Sequence, residues 1–308
     1  MRALGLSAMT APRQILAGTT YLLTRRCSQR QFLLRPSKAT NQTVGYLLAV
    51  AARRFDIQVH ACCVMSNHLH LVATDRGAQL PAFFLYFDSL VGRAMNALLR
   101  REEDFWAPPS YSAVALSSPS DIVDKVVYVL ANPVAAGLVR RGRMWPGLWL
   151  APARAGAVEL EFARPAHFFR KRGASTMPER AGLGLVAPPG FDSLEQFERA
   201  VRSALEAREA TAELELRAAG RGFLGAAGVM AQHPLARPRR PAPFRGLNPR
   251  VACRDKWRRI QALGQLVQFL QAYRLSFVRW RAGGRDVAFP SGTYLMRVLH
   301  GVSCAAPG

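Results

Sequence analysis

Acidic residues are scarce in this 308-residue chain: 20 Asp and Glu stand against 42 Lys and Arg, a formal net charge of +22. An arginine-heavy codon usage explains Arg in place of Lys, but not a two-to-one basic excess. The imbalance favours a polyanionic partner, nucleic acid first and an anionic membrane surface second. Cysteine is also sparse. Cys27, Cys62, Cys63, Cys253 and Cys304 are odd in number and include no CxxC spacing, so they read as reduced thiols used as small hydrophobes. Cys62 and Cys63 face opposite sides of an expected strand and are poor partners for one another. No apolar run reaches the length needed to cross a membrane. The first ten residues, with Arg2 and a short apolar stretch, are too weak for a secretory signal. The expected location is therefore the cytoplasm, beside the nucleoid. No internal repeat is evident. What the chain does have is apolar content: half its residues are hydrophobic, enough to bury a sizeable core in one large or two ordinary domains.

Hydrophobic periodicity gives the order of elements. Residues 19–27 (TTYLLTRRC) predict a first strand, and 41–54 a helix with Val44, Leu47, Leu48 and Ala51 on one side. Residues 57–65 (IQVHACCVM) and 68–74 predict two strands joined at Ser66-Asn67. Pro81 opens a second helix that buries Phe84, Phe87, Leu90, Val91, Ala94 and Leu98, and residues 111–116 form a fourth strand. Ser120 is placed as the cap of a helix from Asp121 to about Ala131, stopped by Asn132-Pro133. The order β-α-β-β-α-β is that of a ferredoxin-like antiparallel sheet covered by two helices, with one helix appended. The fold class expected is thus α+β, continued by a mainly helical C-terminal region. Three regions are expected: 12–149 as the functional domain, 150–190 as linker or lid, and 191–308 as a basic helical region of unknown role. Amphipathic helices are expected over 191–217 and 254–281. The second carries an apolar side of Trp257, Ile260, Leu263, Val267 and Leu270, and a Pro/Arg-rich connector (234–249) lies between the two.

Two short stretches carry chemistry. In His68-Leu69-His70 the imidazoles share one strand face about 7 Å apart, close enough for both to reach one metal ion. On the helix from Asp121, Ile122, Val123, Val126, Val127 and Leu130 cluster on one side. Tyr128 falls on the opposite, polar side with Asn132 one turn beyond it. A tyrosine used as core filler belongs on the apolar side.

The segment MSNHLHLV (65–72), followed some sixty residues later by Tyr128-Val-Leu-Ala-Asn132-Pro133-Val134-Ala-Ala-Gly137-Leu138-Val139, resembles the REP-associated tyrosine transposases, single-tyrosine members of the HUH superfamily. The likeness covers roughly residues 12–149. It implies Tyr128 as nucleophile, His68, His70 and Asn132 as ligands of one divalent ion, and Mg²⁺ or Mn²⁺ as that ion, with Mn²⁺ favoured by the imidazoles. It also implies nicking and rejoining of single-stranded or hairpin DNA through a 5′-phosphotyrosine, by a monomer or homodimer and with no membrane partner. The alternative it leaves open is a domesticated protein that holds hairpin DNA or RNA without cutting it. Ser66 stands where that family usually has proline. No second tyrosine lies near Tyr128 on its helix, unlike the two-tyrosine branches.

Arg25, Arg26, Arg93, Arg140, Arg141 and Arg143 are candidate DNA contacts, since arginine pairs bidentately with phosphate. Trp145 and Trp149 read as packing at the end of the sheet rather than as stacking platforms. His60 reads as a satisfied strand histidine. His167, His233 and His300 have no ligand-like neighbours.

Overall fold

Strands β1 (Thr19–Arg26), β2 (Ile57–Met65), β3 (His68–Asp75) and β4 (Ser112–Leu116) form the centre of the computed structural model, with helices α1 (Lys38–Arg54) and α2 (Leu80–Leu99) between them. Helix α3 (Pro119–Ala135), strands β5 (Trp149–Leu150), β6 (Leu160–Ala163) and β7 (Arg180–Leu183), and helices α4 (Leu194–Ala218) and α5 (Gly225–Met230) follow. The chain then continues through β8 (Val251–Ala252), α6 (Lys256–Arg281) and α7 (Leu295–His300). The structure describes residues 11–108, 111–152, 159–169, 177–239 and 249–306. The cluster Arg170-Lys171-Arg172 and residues 240–248 of the connector lie outside them. The fold is α+β. Its six-stranded sheet has the order β5-β2-β3-β1-β4-β8, antiparallel throughout except for the parallel β4–β8 edge, so the sheet is mixed.

Alternation along the strands decides what each sheet face carries. Leu22, Val72, Ala61, Cys63 and Met65 join Ile122, Val126 and Leu130 of α3, and Phe197 and Val201 of α4, in one apolar cluster. The odd residues of β1 point the other way: Arg25 meets Asp88 of α2 at 2.8 Å. Helix α1 packs beside α2. The sheet is therefore covered on both faces, with α3 and α4 on one side and α1 and α2 on the other.

Helix α3 differs from expectation at both ends. Its cap is Ser118, whose Oγ accepts the Asp121 N–H at 3.2 Å, and Pro119 opens the helix where its missing N–H costs nothing. At the other end the helix runs through Asn132-Pro133 to Ala135. Proline removes only its own N–H. Nearby, the Leu130 carbonyl accepts the Trp149 indole N–H at 3.0 Å, while Asn132 and Pro133 carbonyls take the N–H groups of Ala136 and Leu138. Gly137, at φ 74°, then turns the chain. Asn132 is thus inside the helix, on the same face as Tyr128.

The 150–190 stretch, expected as linker or lid, contributes the β6–β7 hairpin, which packs on α1. Gly45 makes room there for the Phe162 ring, and Tyr46 donates its hydroxyl to the Pro178 carbonyl at 2.5 Å. Residues 11–17 and 255–306 form a separate compact unit. In it Gln14 bridges Thr293, Phe289 bridges Cys304, and Phe269, Tyr273, Phe277 and Trp280 follow one another along α6 with ring centroids 6.0–6.3 Å apart. The side of α6 expected to be apolar is not the packed one: Trp257, Ile260, Leu263 and Val267 are exposed, and Phe269 is buried. No described helix is long and apolar enough to cross a membrane.

His60 sits at a bulge in β2 and is fully buried. Its Nδ1 lies 2.8 Å from the Val186 carbonyl, which can only accept, so Nδ1 carries the proton. Nε2 then accepts from the Thr74 hydroxyl at 2.7 Å, which in turn meets Thr20 at 2.7 Å. Burial pulls the His60 pKa down to about 4, against the opposing pull of the Val186 carbonyl. The unfolded chain therefore binds the His60 proton below about 6.5 while the folded chain stays neutral to about 4. Stability should fall across that interval as pH drops, by about 3 kcal/mol at most. Equilibrium unfolding of His60→Gln should show a flatter dependence between pH 6.5 and 4; an unchanged slope would assign the acid sensitivity elsewhere.

Candidate active site

One sheet face and one helix bring together all four residues singled out on the strand and the helix. In the β1–β3 register, Thr24 lies opposite His70 and Arg26 opposite His68; on the other flank Cys63 and Met65 of β2 face the same two histidines. The two imidazole rings stand edge to face with centroids 4.7 Å apart, and the His70 ring meets the Tyr128 ring of α3 at 5.4 Å. Tyr128 is 37% exposed, so its ring reaches the histidines without leaving solvent. Asn132 and His68 line a common cavity of about 350 Å³.

Each imidazole is oriented by a neighbour that sequence reasoning did not single out. The Nδ1 of His68 lies 2.7 Å from Asn67 Oδ1, an acceptor, so Nδ1 is the protonated nitrogen and Nε2 keeps its lone pair. Thr24 Oγ1 lies 2.8 Å from His70 Nδ1 and can accept its proton in the same way. This is how metal-binding imidazoles are usually held: the distal nitrogen is tied to a polar group and the other is presented to the ion. Asn67 is itself fixed. Its Nδ2 donates to the Arg30 carbonyl at 3.1 Å and its carbonyl accepts the Cys27 N–H at 2.8 Å, while the Ser66 carbonyl accepts Leu34 N–H at 2.9 Å. The turn at Ser66-Asn67 is thus braced by the loop after β1. A signal for both residues exists in the sequence. Asn67 adjoins His68, and Thr24 is found once β1 is paired with β3.

Among the described residues no group of three or more His, Cys, Asp or Glu is placed to hold a metal ion. The donor set here is two imidazole nitrogens and the Asn132 amide. That set fits one divalent ion whose remaining positions are filled by water or phosphate oxygens, and imidazole suits Mn²⁺ better than Mg²⁺.

The arginines divide. Arg26 is exposed at the end of β1, on the histidine face. Arg25 faces the other way and is committed internally: 11% exposed, it meets Asp88 at 2.8 Å, donates to the Ala107 carbonyl at 2.7 Å, and lies over the Trp106 ring. Arg93 belongs to α2, also on that opposite face, and stacks on Phe168. Arg140 and Arg141 reach Glu213 of α4 at 3.5 and 3.3 Å, and Arg141 lies 3.8 Å from Glu209. Glu209, held above the usual carboxylate range by burial, accepts the Gly142 N–H at 2.7 Å. Arg143 is exposed beside them. Trp145 and Trp149 donate to the carbonyls of Val64 and Leu130 at 2.9 and 3.0 Å, closing the sheet end as expected.

No protein-family model and no curated protein matches the chain. Among the solved structures that match, two show the level of similarity. One, described as the structure of the REP-associated tyrosine transposase bound to a REP hairpin, is 19% identical over 46% of this chain and 81% of its own, with a TM-score of 0.38. The other, a putative transposase from Deinococcus radiodurans R1, is 18% identical over 36% of this chain and 89% of its own, with a TM-score of 0.28. Likeness at these levels assigns neither fold nor function.

The contrast between Arg25 and Arg26 is testable. Arg25→Ala leaves the Asp88 carboxylate buried without its cation and should cost about 3 kcal/mol or more in urea unfolding. Arg26→Ala should leave stability within about 0.5 kcal/mol. Equal losses in the two variants would contradict this division.

Proposed function

We propose that this chain is a metal-dependent, single-tyrosine DNA transesterase of transposase type, acting on single-stranded or hairpin DNA. The observation that carries the reading is the meeting of two oriented imidazoles with an exposed phenol on the facing helix. The motifs quoted from the sequence resemble the REP-associated tyrosine transposases in the same order, and the basic excess suits a polyanionic substrate. The ferredoxin-like assignment belongs to the same reading. It is supported by the central strand order β2-β3-β1-β4 with every neighbour antiparallel.

The roles follow from chemistry. The Tyr128 oxygen attacks the scissile phosphorus, forming a phosphotyrosine ester as the bond from phosphorus to the 3′ oxygen breaks. The phenolic proton is lost, and the departing strand gains one as its free 3′-hydroxyl. An ester is exchanged for an ester, so rejoining requires no external energy source. His68, His70 and Asn132 would hold one Mg²⁺ or Mn²⁺ ion, which when bound supplies charge stabilisation to the phosphate oxygens. Asn67 Oδ1 keeps His68 in the tautomer that presents Nε2, and Thr24 orients the His70 ring through its Nδ1. Tyr128, projecting from a helix packed on the sheet, is held near the pair rather than on a mobile loop.

Incubation with single-stranded oligonucleotides carrying palindromic hairpins and Mn²⁺ should give a complex that survives denaturant and retains the DNA. Tyr128→Phe should abolish that complex and leave binding within about twofold. Retention of the adduct in this variant would refute the nucleophile. His68→Ala should lower both Mn²⁺ affinity, read by calorimetry on the protein alone, and adduct yield by more than about tenfold. Unaltered cleavage in the presence of a chelator would count against a metal.

A further inference from the structure

The cavity that His68 and Asn132 share has a second wall made by a later part of the chain. Leu224, Val229 and Gln232 come from the segment around α5, and Phe32 comes from the loop after β1. That segment is fastened at both ends. Leu224 and Gly225 donate their N–H groups to the carbonyls of Gly137 and Leu138 just past α3, at 3.0 and 2.9 Å. Farther along, Phe32 N–H donates to the Ala236 carbonyl at 2.9 Å, and the Arg35 guanidinium donates to the carbonyls of Met230 and Gln232 at 2.7 and 3.3 Å. Residues 224–238 therefore form a strap beside the histidine end of the site and make one wall of the cavity there.

We propose that this space is a binding pocket for one unpaired nucleobase of the DNA strand, next to the phosphate that Tyr128 attacks; the proposal rests on the transesterase reading above. The volume, about 350 Å³, lies in the range of small-ligand sites. The lining has the chemistry of base recognition. Phe32 is half-buried and belongs to the lining, where an aromatic ring is the group on which a base stacks. The Gln232 side-chain amide has no hydrogen-bond partner among the described residues and offers both a donor and an acceptor, the pair needed to read a base edge. Asn67, by contrast, is committed to His68 and Arg30. Leu224 and Val229 supply the apolar walls, and Arg30 is the cation of the lining. Because the pocket includes His68 and Asn132, a base seated in it puts its own phosphate within reach of the site. The strap thus gives the segment after α4 a role: specificity at a position flanking the cut.

The test uses Tyr128→Phe protein, so that binding is read without cleavage, and short single-stranded homopolymers of dA, dC, dG and dT carrying one 2-aminopurine reporter. Stacking in the pocket should quench the reporter. Phe32→Leu, which keeps bulk but removes the ring, should weaken binding about tenfold, the loss of one base–aromatic stack, and abolish the quench. Gln232→Ala should change the ranking of the four homopolymers rather than lower all four equally. Thermal unfolding of each variant reports whether the strap stays docked; Gln232→Glu, which retains length, replaces Gln232→Ala if it does not. Parent-like affinity, quench and ranking in the pocket variants would overturn the pocket. Pocket variants that bind weakly while Tyr128 protein forms no adduct would overturn the nicking reading and leave the pocket standing. A parent that binds no single strand would overturn both.

Discussion

Thr24 lies opposite His70, and Arg26 opposite His68, because β1 and β3 pair in one uninterrupted register from Thr19–Asp75 outward to the histidine end, and the rest of the site depends on that ladder. A slip of one residue would turn every side chain of one strand to the other sheet face. The imidazoles would then point at α2 and the core leucines at α3. The ladder is held against such a slip by its own contents. Leu22 and Val72 bury on the α3 face, Leu23 and Leu71 on the α1–α2 face, and Thr20 and Thr74 exchange a hydrogen bond that also engages His60. Apolar residues fix the pairing, and the polar ends of the same strands inherit their positions from it.

Helix α3 is the second partner, and its docking is over-determined. Ser118 caps it, Asp121 ties it to the Arg254 N–H, its apolar side joins the sheet cluster, and α4 lies along it. Pro133, which reads locally as a stop, lies inside the helix, which continues to Ala135 before the turn at Gly137 takes up the last carbonyls. The result is that Tyr128 and Asn132, four residues apart, share one helical face directed at the histidines. Had the helix ended at Ala131, Asn132 would belong to a turn, with no fixed relation to the tyrosine.

Much of the central sheet was legible from the sequence because alternation of period two and runs such as IQVHACCV admit few readings. The His68–Leu69–His70 pair needed only that alternation, and Tyr128 only its place on the wrong side of an amphipathic wheel. What escaped was everything set by long-range return of the chain. Asp88 and Arg25 are 63 residues apart in the numbering, and nothing local distinguishes Arg25 from the exposed Arg26 beside it. Glu209 and Glu213 look like surface charges on α4, yet they hold Arg140 and Arg141. Phe32, Gln232 and the strap are invisible to periodicity, since loop residues have no period. On α6 the side expected to be apolar is left exposed, and packing uses the aromatic series from Phe269 to Trp280 instead.

The shortage of acidic residues takes on a structural meaning once these pairs are placed. Asp88, Glu198, Glu209 and Glu213 are each spent on arginines of the chain itself, so the few acids present neutralise cations where two elements must pack or a helix must hold. The excess is left to the cations outside those joints, among them Arg26 at the histidine end and Arg143 beside the paired arginines. Under the proposed DNA-acting reading this partition separates two demands. Buried or half-buried pairs are little affected by salt and preserve the site's shape, whereas exposed cations exchange counterions for phosphates and make affinity fall as salt rises. Shape and attraction can then respond differently to ionic strength: raising salt would weaken capture of the strand well before it disturbed the meeting of Tyr128 with His68 and His70.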